Sequence, residues 1–336
     1  MSNALPLIRA ASLLPFLRWM EQNNCSNEGI LAASDLENLP YMKPLQPIAM
    51  QNAFRFLKKL GEAEGPDIGC RVVSSATILE LALIGRVALG ARTPRQALER
   101  VATALPYHCS HEIITYRQNA QTTTIREMMS FATDREALHI QQQYTAAHFR
   151  VLCEMSDTPR PVEAKISIVP HPELGLAHLT PYLGSSVFAS MTRAVTVEVA
   201  NSVLDSPFPT RTRDRSGGAI PPGIHSLRSE NSLSETARPV VADMLQGGQP
   251  TIERLAKAAG VSKRTLQRRL AEEDTSFTKL LDDIRAQTAM EELNSRGASI
   301  GSIAATLGYA SQAGLTRAMH RWQGAAPKEV RKGIHS

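Results

Sequence analysis

Arg264, Gln267 and Arg268 fall at i, i+3 and i+4, so a helix would gather them into one outward stripe of long side chains. Arginine pairs bidentately with guanine and glutamine with adenine, so the stripe has the chemistry of base-edge readout in a major groove. Lys263 and Arg269 flank it and suit phosphate contacts, which fix register without reading sequence. A charged helix face is usually only solvated surface. This one stands out because the scaffold that carries it occurs twice.

In the first copy apolar residues fall at Ile252, Leu255, Ala256 and Ala259, followed by Gly260-Val261-Ser262 and then Leu266 and Leu270. In the second they fall at Ile300, Ile303, Ala304 and Leu307, followed by Gly308-Tyr309-Ala310-Ser311 and then Leu315 and Met319. The copies are offset by 48 residues before the turn and 49 after it. The spacing predicts helix, tight turn, helix in each. Gly260 and Gly308 can take the left-handed conformation that ends the first helix, and Ser262 and Ser311 can cap the second. Two helices on a short glycine turn form the unit whose second helix enters DNA. Between the copies, Ser276 to Asn294 reads as a helix with apolar positions Phe277, Leu281, Ile284, Ala289 and Leu293. At ~1.5 Å per residue it is a rod of roughly 28 Å, near the ~34 Å of one DNA turn.

These residues also carry a resemblance. Ile252 to Glu273, Thr275-Ser276-Phe277, Ile284-Arg285, Gly308-Tyr309, Ser311-Gln312, Arg317-Ala318, Arg321-Trp322, Gly324, Pro327 and Arg331 together look like the DNA-binding domain of AraC/XylS-type transcription regulators. The resemblance covers about the last hundred residues. It implies base contacts at Gln312, Ala313 and Arg317 in the second unit, and Arg321 joins Lys263 and Arg269 as a phosphate contact. The chain departs from the pattern at Leu315 and Met319, where the family usually has Phe, and at Val330, where it usually has Tyr. All three changes keep the position apolar.

The elements that hold this region in place begin with the bulk of the chain. Its 336 residues suffice for about two domains, each with its own core. With 43% hydrophobic and 21% charged residues, and no apolar run near the ~18 residues of a membrane span, a membrane is not an expected partner. Leu5 to Met20 is broken by Arg9, Pro15 and Arg18 and reads as an amphipathic helix rather than a signal peptide. The net charge is +5, of which +4 falls from His225 onward, where a nucleic-acid footprint would put it. Cys25, Cys70, Cys109 and Cys153 are scattered and form no CxxC, which fits a reducing cytoplasm.

Ahead of the repeat the pattern predicts helices at Leu13–Gln22, Gln51–Leu60, Ile78–Leu89 and Arg95–Leu105, then a hairpin of Glu112–Arg117 with Thr122–Phe131. A long helix, Asp134–Met155, follows with the stripe Leu138, Gln142, Thr145, Phe149 and Leu152, and Lys165–Val169 and Val195–Val199 read as strands. This region is loosely similar to the α/β effector-binding domain found ahead of some AraC-type domains, related to regulators that sense ornithine and similar metabolites. Leu89-Gly90, Thr93-Pro94, Ala97-Leu98, Ser167 to Pro172, Val203-Leu204-Asp205 and Pro207 carry that similarity, which implies a ligand-sensing role. Ser206 to Asn231, rich in Pro and Gly and holding Arg211, Arg213 and Arg215, reads as a linker.

His108-Cys109-Ser110-His111 could hold a soft metal, but its neighbours supply no further ligands, so loop or core residues are the default and no metal is assigned. Gln142, His108 and His111 are the candidate effector-pocket residues. Arg92 and Arg95 could meet an acidic effector, although a solvated helix start is the simpler account. No GxSxG, Walker loop or HExxH is present, so no catalytic residues and no cofactor are expected.

The expected architecture is an α+β effector domain of helices plus an antiparallel sheet (1–205), a linker (206–231) and an all-α domain of seven helices with two helix-turn-helix units (232–336). The expected function is that of a cytoplasmic DNA-binding transcription regulator, not an enzyme. Its partners would be double-stranded DNA, a small-molecule effector, RNA polymerase and a second copy of the chain. Two other readings stay open: a constitutive DNA binder whose first domain only dimerises, and an enzyme domain fused to a DNA-binding module.

Overall fold

The computed structural model describes residues 4–209, 220–228, 232–247, 250–295 and 298–335. The chain forms two compact units, Pro6–Ser229 and Glu230–Ser336 together with the first five residues.

In the first unit β1 (Leu7–Arg9) and β2 (Pro47–Ala49) make a small antiparallel pair. β3 (Glu112–Gln118), β4 (Thr122–Met129), β5 (Ala164–Ile168), β6 (Val187–Ala189) and β7 (Val195–Ala200) form a sheet ordered β3-β4-β7-β5-β6. The expected hairpin is present. Its turn is tied by Asn119, whose Oδ1 accepts the N–H groups of Gln121 and Thr122 at 2.9 and 2.8 Å. The sheet was expected to be antiparallel, but β5 and β6 run parallel. The chain between them, which includes the helical turn Thr180–Leu183, is long enough for a crossover that a hairpin loop could not make.

Helix Arg135–Glu154 supports this sheet. Asp134 caps it by accepting from the N–H groups of Glu136 and Ala137. Ala146, Phe149 and Cys153 on one face join Ile166, Val195, Val197 and Val199 in a buried cluster. On another face Ile140 packs with Phe16, Phe56 and Leu60, and Gly69 approaches so closely that a Cβ there would lie 2.3 Å from the Ile140 carbonyl oxygen.

The single helix expected over Ile78–Leu89 is two, Ser75–Glu80 and Leu83–Leu89. Ala82 interrupts it with φ 51°, a conformation a non-glycine residue adopts only when packing imposes it. That packing is at Gly85, where a Cβ would fall 1.7 Å from the Ile78 carbonyl oxygen, so the segments fold against each other. Of the stretch expected to link the domains, 210–219 and 229–231, with Arg211, Arg213 and Arg215, lie outside the described residues. Phe208 is buried with Leu89 and Leu152, and Ile220 and Ile224 pack beside Leu83 and Val87.

The second unit is all helical. Among the described residues its seven helices are Leu233–Gln246, Ile252–Ala258, Lys263–Ala271, Phe277–Asn294, Ile300–Thr306, Gln312–Gln323 and Pro327–His335. Glu273 was not singled out in the sequence, yet its carboxylate accepts the N–H groups of Leu233 at 2.6 Å and Ser234 at 2.9 Å, fastening the first helix to the end of the third.

Candidate functional site

Gly260 and Gly308 sit at φ 66° and 73°, the left-handed turns expected of them. Ser262 then caps Lys263–Ala271 by accepting from Thr265 N, and Ser311 caps Gln312–Gln323 by accepting from Gly314 N. Leu266, Leu270, Leu315 and Met319 are each fully buried and turn the opposite faces outward.

On Lys263–Ala271 the outward residues are Lys263, Arg264, Gln267 and Arg268, all exposed, with Arg269 half-buried on the flank. Lys263 and Arg264 occupy the first helical turn, which holds no acidic residue. Cations there oppose the helix dipole, whose positive end lies at the N-terminus, so the sequence gives up local stability to place charge where an anion could approach. The cations are lightly tethered: Lys263 Nζ lies 2.6 Å from Glu253, and Arg268 pairs with Glu272 four residues on. Exposed pairs of this kind are worth about 0–1 kcal/mol and exchange readily for phosphate or base.

The second helix, Gln312–Gln323, exposes Gln312, Ala313 and Arg317, and Arg321 pairs with Asp282 at 2.9 Å. Gly314 has a packing reason, since a Cβ would meet the Tyr309 ring at 3.3 Å. Tyr309 is covered in turn by the Arg285 guanidinium, 5.1 Å from the ring centroid, while Arg285 Nε donates to the Leu307 carbonyl at 3.0 Å. Helix Phe277–Asn294 is thereby locked to the second turn. Its Leu280, Leu281 and Ile284 are also buried, and its Ala289 and Leu293 enter the core formed by Ile303, Leu307, Leu315 and Met319.

The first unit holds a cavity of about 210 Å³, larger than the ~150 Å³ void that accommodates benzene. Most of its wall is apolar, with Phe16, Phe54, Leu98, Val101 and Ile125 among the lining residues. Most of its polar groups come from the β3–β4 hairpin and the long helix. Along β4, alternation turns Thr123, Ile125, Glu127 and Met129 inward. Ile114 pairs with Glu127 across the hairpin, so Glu112, two residues earlier on β3, lies diagonally beside Glu127 on the same face. From the long helix, Gln141, Tyr144, Thr145 and His148 follow at i, i+3, i+4 and i+7 along the cavity wall. Gln141 Nε2 donates to Glu127 at 2.7 Å, and the Thr145 hydroxyl donates to the same oxygen at 3.4 Å. Burial and then the neighbouring Glu127 charge raise the Glu112 carboxyl well above its usual range. Burial raises Glu127 too, against the hydrogen bonds it accepts.

His108 also lines the cavity, its Nε2 2.8 Å from the Ser12 hydroxyl, and burial followed by the Arg9 charge pushes it down to about 4. Burial pushes His148 down to about 4 as well, so both rings are neutral at pH 7. Gln142 does not line the cavity. Its amide accepts from Val169 N and donates to the Arg193 carbonyl, each at 2.8 Å, which makes it a bridge between helix and strand connections. His111 is likewise absent from the wall, with Nδ1 2.7 Å from the Ser110 hydroxyl and its ring edge-on to Phe131. Arg95 is not a solvated helix start, since it pairs with Asp205 and donates to Asn201 at 3.2 Å. Among the described residues no group of three or more His, Cys, Asp or Glu is placed to hold a metal ion.

Glu127, Gln141, Tyr144 and His148 were therefore missed. The alternation Thr123-Ile125-Glu127-Met129 already carried the first, and the helical spacing of Gln141, Tyr144, Thr145 and His148 carried the others as a second stripe beside the apolar one.

Two turn-linked helix pairs with outward cations and amides, held on one connecting helix, define a double helix-turn-helix DNA-binding domain. Residues 255–333 match the family model described as a helix-turn-helix domain, and this part of the chain is of the AraC type. An uncharacterized HTH-type transcriptional regulator of Mycobacterium tuberculosis is 39% identical over 80 residues, which is 24% of this chain and 23% of that protein. The ornithine utilization regulator of Pseudomonas aeruginosa is 30% identical over 86 residues, 26% of this chain and 25% of that protein. The chain thus spans about a quarter of the length of these curated relatives. The crystal structure of the transcriptional regulator CdpR from Pseudomonas aeruginosa superposes with a TM-score of 0.45 at 16% identity, over 96% of this chain and 98% of that one. Among the described residues no helix is long and apolar enough to cross a membrane.

Proposed function

We propose that the protein is a sequence-specific transcription regulator whose DNA affinity is set by a small metabolite held in the cavity of the first unit. The observation that carries the DNA half is the pair of matching turns, each presenting exposed long side chains opposite a buried two-residue seam. Arg264, Gln267 and Arg268 read base edges in one major groove, and Gln312, Ala313 and Arg317 read the next. Lys263, Arg269 and Arg321 hold phosphates. The ligand half rests on a cavity that carries two carboxyls in a mainly apolar wall, an arrangement a domain serving only dimerisation has no need of.

The test uses the full chain. Duplexes selected from a random library are titrated at several salt concentrations. Three phosphate contacts would make log K fall with log salt at a slope of about −3. A slope near zero, or no selected consensus, overturns the DNA assignment. The same titration is then repeated with a metabolite library, scored by thermal stabilisation and by change in DNA affinity. Compounds that stabilise the chain and move its DNA affinity support the regulated reading. If none does, the constitutive binder stands instead, and turnover of a stabilising compound would point to a fused enzyme.

A further inference from the structure

The cavity carries acid without base. Glu112 and Glu127 both face it, and no lysine or arginine occurs among its described lining residues. The two histidines in its wall, His108 and His148, are neutral at physiological pH. Two carboxyls set diagonally on one face of the hairpin, in a mostly apolar wall, favour sharing one proton over ionising together, and burial raises both.

An unsatisfied acceptor lies beside that pair. Gln141 gives its N–H to Glu127, which leaves its Oε1 buried without a partner; elsewhere in the wall the Tyr144 hydroxyl is also buried without a partner. A buried polar atom left unpaired costs about 1–3 kcal/mol, so native proteins seldom leave several around one void. Gln141 Oε1 can only accept, so what it lacks is a donor. An ammonium group has three N–H donors and no acceptor, and needs an anionic neighbour once it leaves water.

We propose that the cavity binds a primary amine: a compact apolar body, on the scale of one aromatic ring or a short alkyl chain, whose ammonium sits against Glu112 and Glu127 and donates to Gln141 Oε1. The assignment rests on the reading of this cavity as the effector site and names the chemistry it takes. As the ammonium enters, the proton shared by the two carboxyls leaves to solvent, so the charge in the cavity stays balanced. A carboxylate ligand meets a carboxyl pair that already carries negative charge, and no lysine or arginine in the wall. A free amino acid such as ornithine meets the same obstacle at its carboxylate end, which the apolar wall does not solvate.

Three probes that share a body and differ in the head group make the test: phenethylamine, phenethyl alcohol and phenylacetate, titrated calorimetrically into the full chain. Phenethylamine should bind roughly tenfold to a hundredfold more tightly than the alcohol, as expected for charge-assisted hydrogen bonds, and phenylacetate should bind weakest. Repeating the amine titration in buffers of different ionisation enthalpy should show proton release. Glu127→Gln should bring amine affinity to that of the alcohol while alcohol binding is retained, which also shows that the variant is folded. Glu112→Gln provides the second check. Phenylacetate binding as tightly as the amine, amine affinity unchanged in both variants, or no binding by any probe at millimolar concentration would each overturn the assignment. DNA affinity is measured separately. Amine binding that leaves DNA affinity unchanged sinks the regulatory reading but not the amine site. A different compound class that controls DNA affinity sinks the amine site and leaves regulation standing.

Discussion

Helix Phe277–Asn294 should act as a fixed spacer, and its length sets what the protein tolerates in its DNA site. Its 18 residues make a rod of ~27 Å at ~1.5 Å per residue. One end is buried through Leu280, Leu281 and Ile284, and the other is held by Ala289, Leu293 and the hydrogen bond from Arg285 to Leu307. Inserting about five base pairs between the two sub-sites moves them apart by roughly 17 Å and rotates one by about half a turn. Following that shift would take about eleven more helical residues, at ~1.5 Å each. The second reading helix must therefore release. The loss is then the contribution of Gln312 and Arg317, at ~1–3 kcal/mol per good base contact, with the Arg321 phosphate contact added. Affinity should drop at least about thirtyfold. Fluorescence anisotropy on duplexes with no insertion, five base pairs and ten base pairs, all at one salt concentration, measures it. The ten-base-pair site restores the face but adds ~34 Å, so it should stay weak as well. Affinity within threefold of the parent on the five-base-pair duplex would refute both the rigid spacer and the two-groove reading.

The two units should also read unequally. Arg268→Ala should cost about 1–3 kcal/mol and relax preference at one position, while Gln312→Ala should cost less, because Ala313 offers only a methyl contact; a selected-site logo no sharper over the first half would contradict this. Stability of the first unit should fall on acidification. His108 and His148 are held at about 4 when folded against ~6.5 unfolded, so the unfolded chain takes up protons first, and each ring's contribution of roughly 3 kcal/mol is lost as pH drops from ~6.5 to ~4. Urea titrations across that window should show a shallower fall for His108→Gln, and an unchanged slope would exclude that ring as a source. In the second unit, Glu273→Gln should lower the melting temperature through a loss of about 1 kcal/mol, as for a missing helix cap, and an unchanged melting temperature would show that the bonds to Leu233 and Ser234 do not matter to stability. Conversely, Glu127→Gln should raise the stability of the ligand-free chain near pH 7. A carboxyl whose folded pKa is raised loses stability as pH climbs through it, and the amide removes that loss; a destabilised variant would mean the pair is not under strain.

The second unit was legible in the sequence because its information is local. Leu266 and Leu270 identify a buried seam by spacing alone, Gly260 and Gly308 mark turns by the one backbone region they enter freely, and Ser262 and Ser311 mark the caps. Each signal acts within a few residues, and its repetition some 48 residues on made chance a poor account. Glu273 escaped because its partners come from a distant helix.

The cavity was not legible, although the hairpin and the long helix that carry most of its polar groups were placed nearly correctly. Sequence alternation already put Glu127 on the face of Ile125 and Met129, and helical spacing already aligned Gln141, Tyr144, Thr145 and His148. Which face turns toward a void and which toward solid core depends on how the helix rotates against the sheet, and that is settled by contacts far apart in the chain. Gln142 shows the difference. One residue away from Gln141, it points about 100° around the helix and bonds to backbone at Val169 and Arg193, while Gln141 reaches the carboxyl pair. The same holds for the broken helix at Ala82, where the close approach of Gly85 to Ile78 overrides an unbroken apolar pattern. Local periodicity therefore determined the DNA-binding unit, and only tertiary packing decided which polar side chains of the first unit share a cavity, because that choice is made by the rotation and depth at which helix meets sheet.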